Sequence, residues 1–307
     1  MRQFLYRGRP PAALRPHKLA ARTPAPLDPR IASALAAPLP TAVDRSLPPP
    51  MDQGQTSSCS AHALVKAIEI VTGYRGSPRD LYYSAGLLEG DTSDDGRELV
   101  DCLTAAATSG IAPFAGPTPD GRNSDVTPEN VQDVPTPQDY FYRREFDLGR
   151  ASIDPRGDHV SDLCAATLAA GGAIYLGTQI GNAFEELQGA VVAQPDPAND
   201  PSGGGHALAL TGYRTMPDGS RQWRVENSWG EAFDEAGECW ASTAWLAACW
   251  ELHPVLAPLE AGAPDPYPAG ERGAGLLDAV LVAVDAVLVA GEHDVQELVN
   301  AILARFA

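Results

Sequence analysis

The sequence predicts an α+β fold with two lobes, a helical lobe followed by an antiparallel β-sheet or barrel lobe. Segments with helical spacing of apolar residues dominate the first half of the 307-residue chain, whereas β-rich runs separated by turn residues dominate the second half. Separate groups of helices and strands are typical of α+β proteins. A cleft is expected where the two lobes meet, because binding sites favour such boundaries.

The first half contains three predicted helices. The first begins at Cys59, carries apolar residues at i, i+4 and i+7, and is stopped by Gly73. The second is "SPRDLYYSAGLL", in which Ser77 is the N-cap and proline takes the first helical position. The third is "GRELVDCLTAAATSG". These helices would form the helical lobe.

The second half contains one helix and three strands. Residues 112–138 are dense in proline, aspartate, asparagine and glycine and predict surface loops. A helix is predicted at "VSDLCAATLAAGG", and strands are predicted at "AIYLGTQI", "HALALTGYR" and "RQWRVENSW". The strands would form the second lobe.

Composition divides the chain into three parts. Residues 1–39 form a basic arm rich in proline and alanine, with a net charge of +6, which leaves −24 on the remainder of a chain whose total is −18. Up to about residue 50, proline favours extended structure over helix. Residues 40–254 form the main domain, and residues 255–307 form a linker and a predicted C-terminal helical hairpin.

The C-terminal segment "GLLDAVLVAVDAVLVAG" is apolar except for Asp278 and Asp285. Two carboxylates within a stretch of this length make a membrane span costly. The segment is therefore predicted to pack on the body or on a protein partner, as a docking element.

Charge and cysteine content limit the partners and the compartment. A net charge of −18 and a pI near 4.6 argue against nucleic acid as a partner, because a polyanion would be repelled. Five cysteines without CxxC spacing predict neither disulfides nor a zinc site. The N-terminal residues are basic throughout and have no apolar core of a signal peptide, which predicts a cytoplasmic protein unless a specialised secretion route exports it.

Cys59 stands where a polar loop turns into a helix, a position that suits a nucleophilic thiol. A helix N-terminus and a nearby cationic imidazole both lower the pKa of a thiol. Among the six histidines the best placed is His206, which follows "SGGG" and opens a strand. A glycine-rich turn would leave room around its ring, and the strand would fix its position.

Three more residues complete a candidate acyl-transfer site. Asn227 in "RVENSWG" can orient the imidazole, and Trp229 can shield that hydrogen bond from water. The backbone N–H of Cys59 and the side chain of Gln53 can donate to a developing oxyanion. Gln55 is the nearby competitor for this second donor.

The segments "DQGQTSSCSAHA", "GHALALTGY" and "VENSWGE" together resemble the papain family of cysteine peptidases, and the likeness to bacterial members extends over residues 40–254. Cys59, His206 and Asn227 stand in the family's order, at spacings of 147 and 168 residues. The resemblance implies a cysteine endopeptidase with a Cys-His-Asn triad, a covalent acyl-enzyme, Gln53 in the oxyanion hole, a peptide or protein substrate, and no metal or organic cofactor.

The sequence departs from the family pattern near the nucleophile. Thr56 stands where the family has a cysteine, which removes a usual disulfide, and Ser60 replaces an aromatic residue. The run "EAFDEAGECW" after "NSWG" would reshape the rim of the cleft. His62, on the same helix turn as Cys59, would rarely reach the sulfur with good geometry and is interpreted as a packed histidine rather than the base.

Two other functions are compatible with these residues. One is a peptide ligase or another acyl transferase; the other is a scaffold or targeting protein with a vestigial site that works through its C-terminal hairpin. The basic arm of residues 1–39 is hypothesised to cover the acidic cleft as a latency segment, which would make the chain a zymogen.

Overall fold

The computed structural model describes residues 27–114, 126–146, 148, 151–193 and 204–257. The helices in these ranges are α1 Pro29–Leu35, α2 Cys59–Thr72, α3 Pro78–Glu89, α4 Leu99–Thr108, α5 Pro137–Tyr142, α6 Val160–Ala169, α7 Asn182–Glu185 and α8 Thr243–Ala248. The strands are β1 Ala42–Val43, β2 Ala173–Ile180, β3 Val191–Val192, β4 Gly204–Thr215, β5 Arg221–Glu226, β6 Glu238–Ser242 and β7 Glu251–Val255.

The helices of the first lobe begin and end at the residues that the sequence marks. Helix α2 is buried from Cys59 to Glu69, and it ends at Gly73, whose φ of 75° suits a residue without a Cβ. Helix α3 begins after Ser77, whose hydroxyl accepts a hydrogen bond from the backbone N–H of Asp80. Both starts are as predicted. Cys59 is the first residue of α2, whose N-cap Ser58 makes no side-chain capping hydrogen bond, so the cap at Ser77 sets the start of α3 alone.

The strands form a sheet in the order β3-β6-β5-β4-β2-β7, and β1 also pairs with β4. All pairs are antiparallel except β3 with β6. The three strands predicted from the sequence correspond to β2, β4 and β5. Strand β4 lies between β2 and β5, and His206 lies near its N-terminal end, where it is paired with Thr178 of β2.

Alternate residues of β4 face two different parts of the core. Ala207 and Ala209 belong to the cluster that contains α2, whereas Leu208 and Leu210 belong to the cluster that contains α6 and Trp223. The small side chains face α2, so that helix can approach the sheet closely. This packing brings the start of α2 to the end of β4 that carries His206.

Helix α1 corrects the prediction of extended structure before residue 50. Asp28 caps it by accepting from the N–H of Arg30, and Pro29 takes the first helical position, where a proline is tolerated. Ile31 is fully buried against Ala166 and Leu256. Residues 27–39 of the predicted arm therefore include part of the folded body, and residues 1–26 lie outside the described ranges, so latency stays a prediction.

Residues 258–307, which include the predicted C-terminal hairpin, also lie outside the described ranges. Among the described helices, none combines the length and the apolar character that a membrane span needs. All five cysteines lie in described segments, where each is buried and carries a free thiol.

Candidate active site

Cys59 is the first residue of α2, and the polar loop of residues 53–58 leads into it. The thiol is buried, with 5% of the residue exposed, and the backbone of Ala207 hydrogen-bonds it. The first N–H groups of a helix have no acceptor inside the helix. The start of α2 therefore presents backbone donors and the positive end of the helix dipole beside the sulfur.

Residues on either side of the cleft are joined by a short antiparallel contact between two distant loops. Asp52 forms an isolated bridge with Trp229, and the N–H of Gln53 donates to the carbonyl of Ser228 at 2.8 Å. The N–H of Gly230 donates in turn to the carbonyl of Met51 at 3.0 Å. This pairing places the loop before Cys59 beside the segment that carries Asn227.

His206 and Asn227 form a direct contact. The ring nitrogen Nε2 of His206 lies 2.8 Å from Oδ1 of Asn227. Asn227 follows β5 directly, and its backbone N–H donates to the carbonyl of Gly237 at 2.9 Å. Its Oδ1 also accepts from the N–H of Ser228 at 2.8 Å, which fixes the amide. Cys59 and His206 line one cavity, so the structure brings Cys59, His206 and Asn227 to one site.

Aromatic rings enclose the imidazole. The Trp229 ring lies 5.0 Å from the His206 ring between centroids, as expected for a side chain that shields the contact with Asn227. Phe184 and Phe233 each pack on Trp229, at 5.6 and 5.1 Å, and Phe184 also approaches His206 at 6.3 Å. The sequence analysis missed both phenylalanines, because nothing in their local sequence indicates contact with residues so distant along the chain.

Gln53 is 3% exposed and its amide is held from both sides. Its Nε2 donates to the carbonyl of Thr56 at 2.7 Å, and its Oε1 accepts from the hydroxyl of Ser228 at 2.5 Å. An amide nitrogen carries two N–H groups, so the contact with Thr56 leaves one N–H for another acceptor. Gln55 is exposed, unlike Gln53. Of the two glutamines, Gln53 is therefore the one whose amide is held in a fixed position, next to the segment that carries Asn227.

Burial disfavours the charged forms of both Cys59 and His206. It raises the pKa of the Cys59 thiol to about 11, and hydrogen bonds from the backbone of Ala207 and Ser60 offset only part of that effect. Burial also lowers the pKa of His206 to about 4, although the bond to Asn227 acts in the opposite direction. Burial thus acts against the lowering of the Cys59 pKa that the helix N-terminus would cause.

His62 is directed to a neighbour other than Cys59. Its Nδ1 lies 3.1 Å from the Ser58 hydroxyl and 3.0 Å from the Ser58 carbonyl, and burial lowers its pKa to about 4. The Ser58 hydroxyl also contacts that of Thr56 at 2.6 Å. Thr56, which stands where the family has a cysteine, therefore belongs to a hydrogen-bonded network below the loop.

A buried cluster of charges lies behind Asn227. Nζ of Lys66 is 3.0 Å from Glu226 Oε1 and 3.1 Å from Glu69 Oε2, and all three side chains are at most 6% exposed. Nζ also donates to the carbonyls of Pro48 and Pro49. Burial raises the pKa of Glu226 to about 7, against the opposing effect of Lys66. Because Glu226 directly precedes Asn227, this cluster ties α2 to the strand end that presents Asn227.

No group of residues with the composition of a metal site occurs within the described part of the chain. The reactive groups that the structure brings to the site are a thiol, an imidazole and amides. Together they can transfer a proton, attack a carbonyl carbon and donate hydrogen bonds to an oxygen.

Comparison with known proteins agrees with this arrangement. Residues 199–251, which contain His206 and Asn227, match the model of the Peptidase C1-like family. No curated protein sequence matches the chain. The structure of xylellain, a cysteine protease from Xylella fastidiosa, is similar with a TM-score of 0.63 and 25% identity, over 84% of this chain and 98% of that one.

Two more distant structures share the fold. Digestive procathepsin L 3 of Tenebrio molitor matches with a TM-score of 0.53 and 18% identity, over 82% of this chain and 77% of that one. The bromelain protease from Ananas comosus matches with a TM-score of 0.51 and 19% identity, over 71% of this chain and 100% of that one. The predicted α+β, papain-like fold is confirmed, and the match over residues 199–251 together with the likeness to xylellain makes the chain similar to papain-like cysteine proteases, which are hydrolases.

Proposed function

We propose that the protein is a cysteine endopeptidase in which Cys59, His206 and Asn227 act as nucleophile, base and orienting amide. The observation that carries the proposal is the 2.8 Å contact between His206 Nε2 and Asn227 Oδ1 in a site that shares a cavity with Cys59. Because Nε2 faces Asn227, Nδ1 is the nitrogen that takes the thiol proton. The substrate is a peptide or protein segment that enters this cavity.

The reaction proceeds in two halves. The proton moves from the Cys59 sulfur to His206 as the sulfur attacks the peptide carbonyl carbon, and the N–H of Cys59 and the amide of Gln53 donate to the oxyanion. The C–N bond then breaks, and the leaving amine takes the proton from His206. A water molecule next attacks the thioester, gives its proton to His206, and the carboxylic acid leaves as the thiol is restored.

The pKa shifts fit a proton transfer that accompanies the attack. Burial disfavours an isolated thiolate or an isolated imidazolium. When the proton passes from one group to the other, however, the two charges form side by side and attract each other strongly in a site with little water. A neutral starting pair is therefore compatible with the chemistry, because His206 and Cys59 line the same cavity.

The proposal is tested by covalent labelling with E-64, an epoxide whose ring opens when a thiol attacks it. The sulfur bonds to a ring carbon and the ring oxygen takes a proton, so the protein gains the whole mass of the inhibitor. We expect one adduct, located on Cys59 by peptide mapping. The matched control is Cys164→Ala, which removes another buried thiol and should still be labelled. An adduct on any other cysteine, or none on wild type, would contradict the proposal.

A further inference from the structure

Both proposed oxyanion donors depend on the loop of residues 53–58. Gln53 opens this loop, and the N–H of Cys59 follows directly after it. The loop belongs to no helix or strand, so a regular backbone ladder does not fix its shape. All five cysteines carry free thiols, so no disulfide fixes it either. The position of the two donors therefore depends on individual hydrogen bonds.

One peptide unit of this loop, between Thr56 and Ser57, is held at both of its polar groups. The Thr56 carbonyl accepts from Nε2 of Gln53 at 2.7 Å. The Ser57 N–H donates to Oδ1 of Asp94 at 2.9 Å. This peptide bond is trans, and a trans unit is planar and directs its C=O and N–H to opposite sides. Asp94 therefore fixes the orientation of the carbonyl against which the Gln53 amide rests.

Asp94 is in turn fixed by α3. The hydroxyl of Tyr82, a fully buried residue of α3, donates to the same Oδ1 at 3.1 Å and accepts from the N–H of Gly96 at 2.8 Å. The guanidinium of Arg97 lies 4.2 Å from the centroid of the Tyr82 ring and donates to the carbonyl of Ser93 at 2.6 Å. The segment that carries this carboxylate is therefore bound firmly to the helical lobe.

The negative charge of Asp94 does not itself favour the reaction. Burial is the main cause of the raised pKa of the Cys59 thiol, and the charge of Asp94 adds to it. The same charge would oppose an oxyanion nearby. Any benefit of Asp94 must therefore come from the hydrogen bonds that it accepts, and a neutral acceptor of the same shape should serve as well.

We propose that Asp94 is a positioning residue for the oxyanion site: it aligns the peptide unit that holds the Gln53 amide, so that the remaining N–H of this amide points at the substrate oxygen. The inference rests on the proposed peptidase function. The oxyanion exists only during the reaction, so loss of this contact should lower kcat more than it raises KM. The Cys59 thiol itself does not need the contact in order to react.

The test compares two reactions of Cys59 in Asp94→Ala. Peptide hydrolysis passes through an oxyanion, whereas alkylation by iodoacetamide does not, because the sulfur bonds to the CH₂ carbon and iodide leaves. We expect kcat to fall about tenfold or more, with KM changed by less than about threefold. The rate of alkylation at Cys59, located by peptide mapping, should be no lower than in wild type, because a nearby negative charge is gone.

Two further variants serve as controls. In Asp94→Asn the side-chain oxygen can accept the same hydrogen bonds, so kcat should stay within about threefold of wild type. Asp218→Ala removes a carboxylate that accepts from the N–H of Ser220 at 2.9 Å, in the turn between β4 and β5. This turn lies at the end of β4 opposite His206, so this variant should keep the wild-type kcat, KM and alkylation rate.

The outcomes separate this inference from the function on which it rests. A wild-type kcat in Asp94→Ala, or an equal loss in Asp94→Asn, would overturn the positioning role and leave the peptidase intact. Equal losses of hydrolysis and alkylation, or alkylation of the buried Cys164, would also overturn it, because they indicate general distortion or unfolding. If wild type cleaves no peptide and E-64 does not label Cys59, the peptidase proposal fails, and the positioning role fails with it.

Discussion

Replacing Cys59 by alanine should abolish peptide hydrolysis, with kcat/KM reduced by roughly 10⁴-fold or more. In the proposed mechanism no other group can form the bond to the substrate carbonyl. The variant should remain folded, because alanine has a high helix propensity and leaves the buried stripe of α2 in place. The rate of hydrolysis of a single peptide tests the loss of activity, and circular dichroism tests whether the variant is still folded.

The matched control for this variant is Cys164→Ala, which removes a thiol that is just as deeply buried but lies in α6. It should keep most of the wild-type kcat/KM. If Cys59→Ala cleaves the same peptide at more than a small fraction of the wild-type rate, the nucleophile has been assigned wrongly. Equal losses in the two variants would indicate a general effect of removing a core thiol.

Replacing Lys66 by methionine should lower the free energy of unfolding by about 3–5 kcal/mol. The change keeps the apolar stem but leaves the carboxylates of Glu226 and Glu69 buried without the ammonium group between them. Such charges cannot regain water without disrupting the contact between α2 and the sheet. Urea unfolding of the variant and of wild type at pH 8 measures the difference.

The loss of stability in Lys66→Met should depend on pH, and the direction of this dependence follows from the pKa of Glu226. Burial already raises its pKa to about 7 in wild type, from an ordinary value of 4.5, and without Lys66 its folded-state pKa would be higher still. A carboxyl group with a raised folded-state pKa favours folding below its unfolded pKa and loses that contribution as pH rises through the folded pKa. The free energy of unfolding of Lys66→Met should therefore be closest to that of wild type near pH 5. The difference between the two should be largest near pH 8.

The matched control neutralises the carboxylates as well. In Lys66→Met with Glu226→Gln and Glu69→Gln, neither buried carboxylate is left to titrate, although Arg75 loses its partner Glu69, and the pH dependence of the difference should disappear. A single Lys66→Met variant as stable as wild type at pH 8 would show that the cluster is not a stabilising link between α2 and β5.

Local signals in the sequence were enough to predict much of the fold and the candidate site. The apolar stripe of α2, its end at Gly73 and the N-cap of α3 at Ser77 all depend on residues close together in the sequence. The C-terminal end of α2 and the start of α3 could therefore be predicted. Cys59, His206 and Asn227 each stand in a recognisable segment, which is why the sequence predicts them as site residues. The helix α1 also has a local signal, Asp28 followed by Pro29, but the proline-rich composition around it favours extended structure.

Contacts between distant residues could not be predicted in the same way. Lys66 looks like an ordinary surface lysine until the sheet brings Glu226 to it from 160 positions away along the chain. The position of Phe184 near His206 likewise depends on how β2 and β4 pair. The raised pKa of Cys59 has the same origin, because the depth of its burial is a property of the packed lobes.

The central claim is that hydrolysis passes through an acyl group bonded to the sulfur of Cys59. The most direct test is to mix wild type with excess peptide ester, quench with acid within milliseconds, and weigh the intact protein. We predict a species heavier by the acyl part of the ester, with the added mass on Cys59, that is lost as the acid product forms with water. If an added amine captures most of the acyl group in place of water, the protein is a ligase. Turnover without any acylated Cys59 would contradict the mechanism.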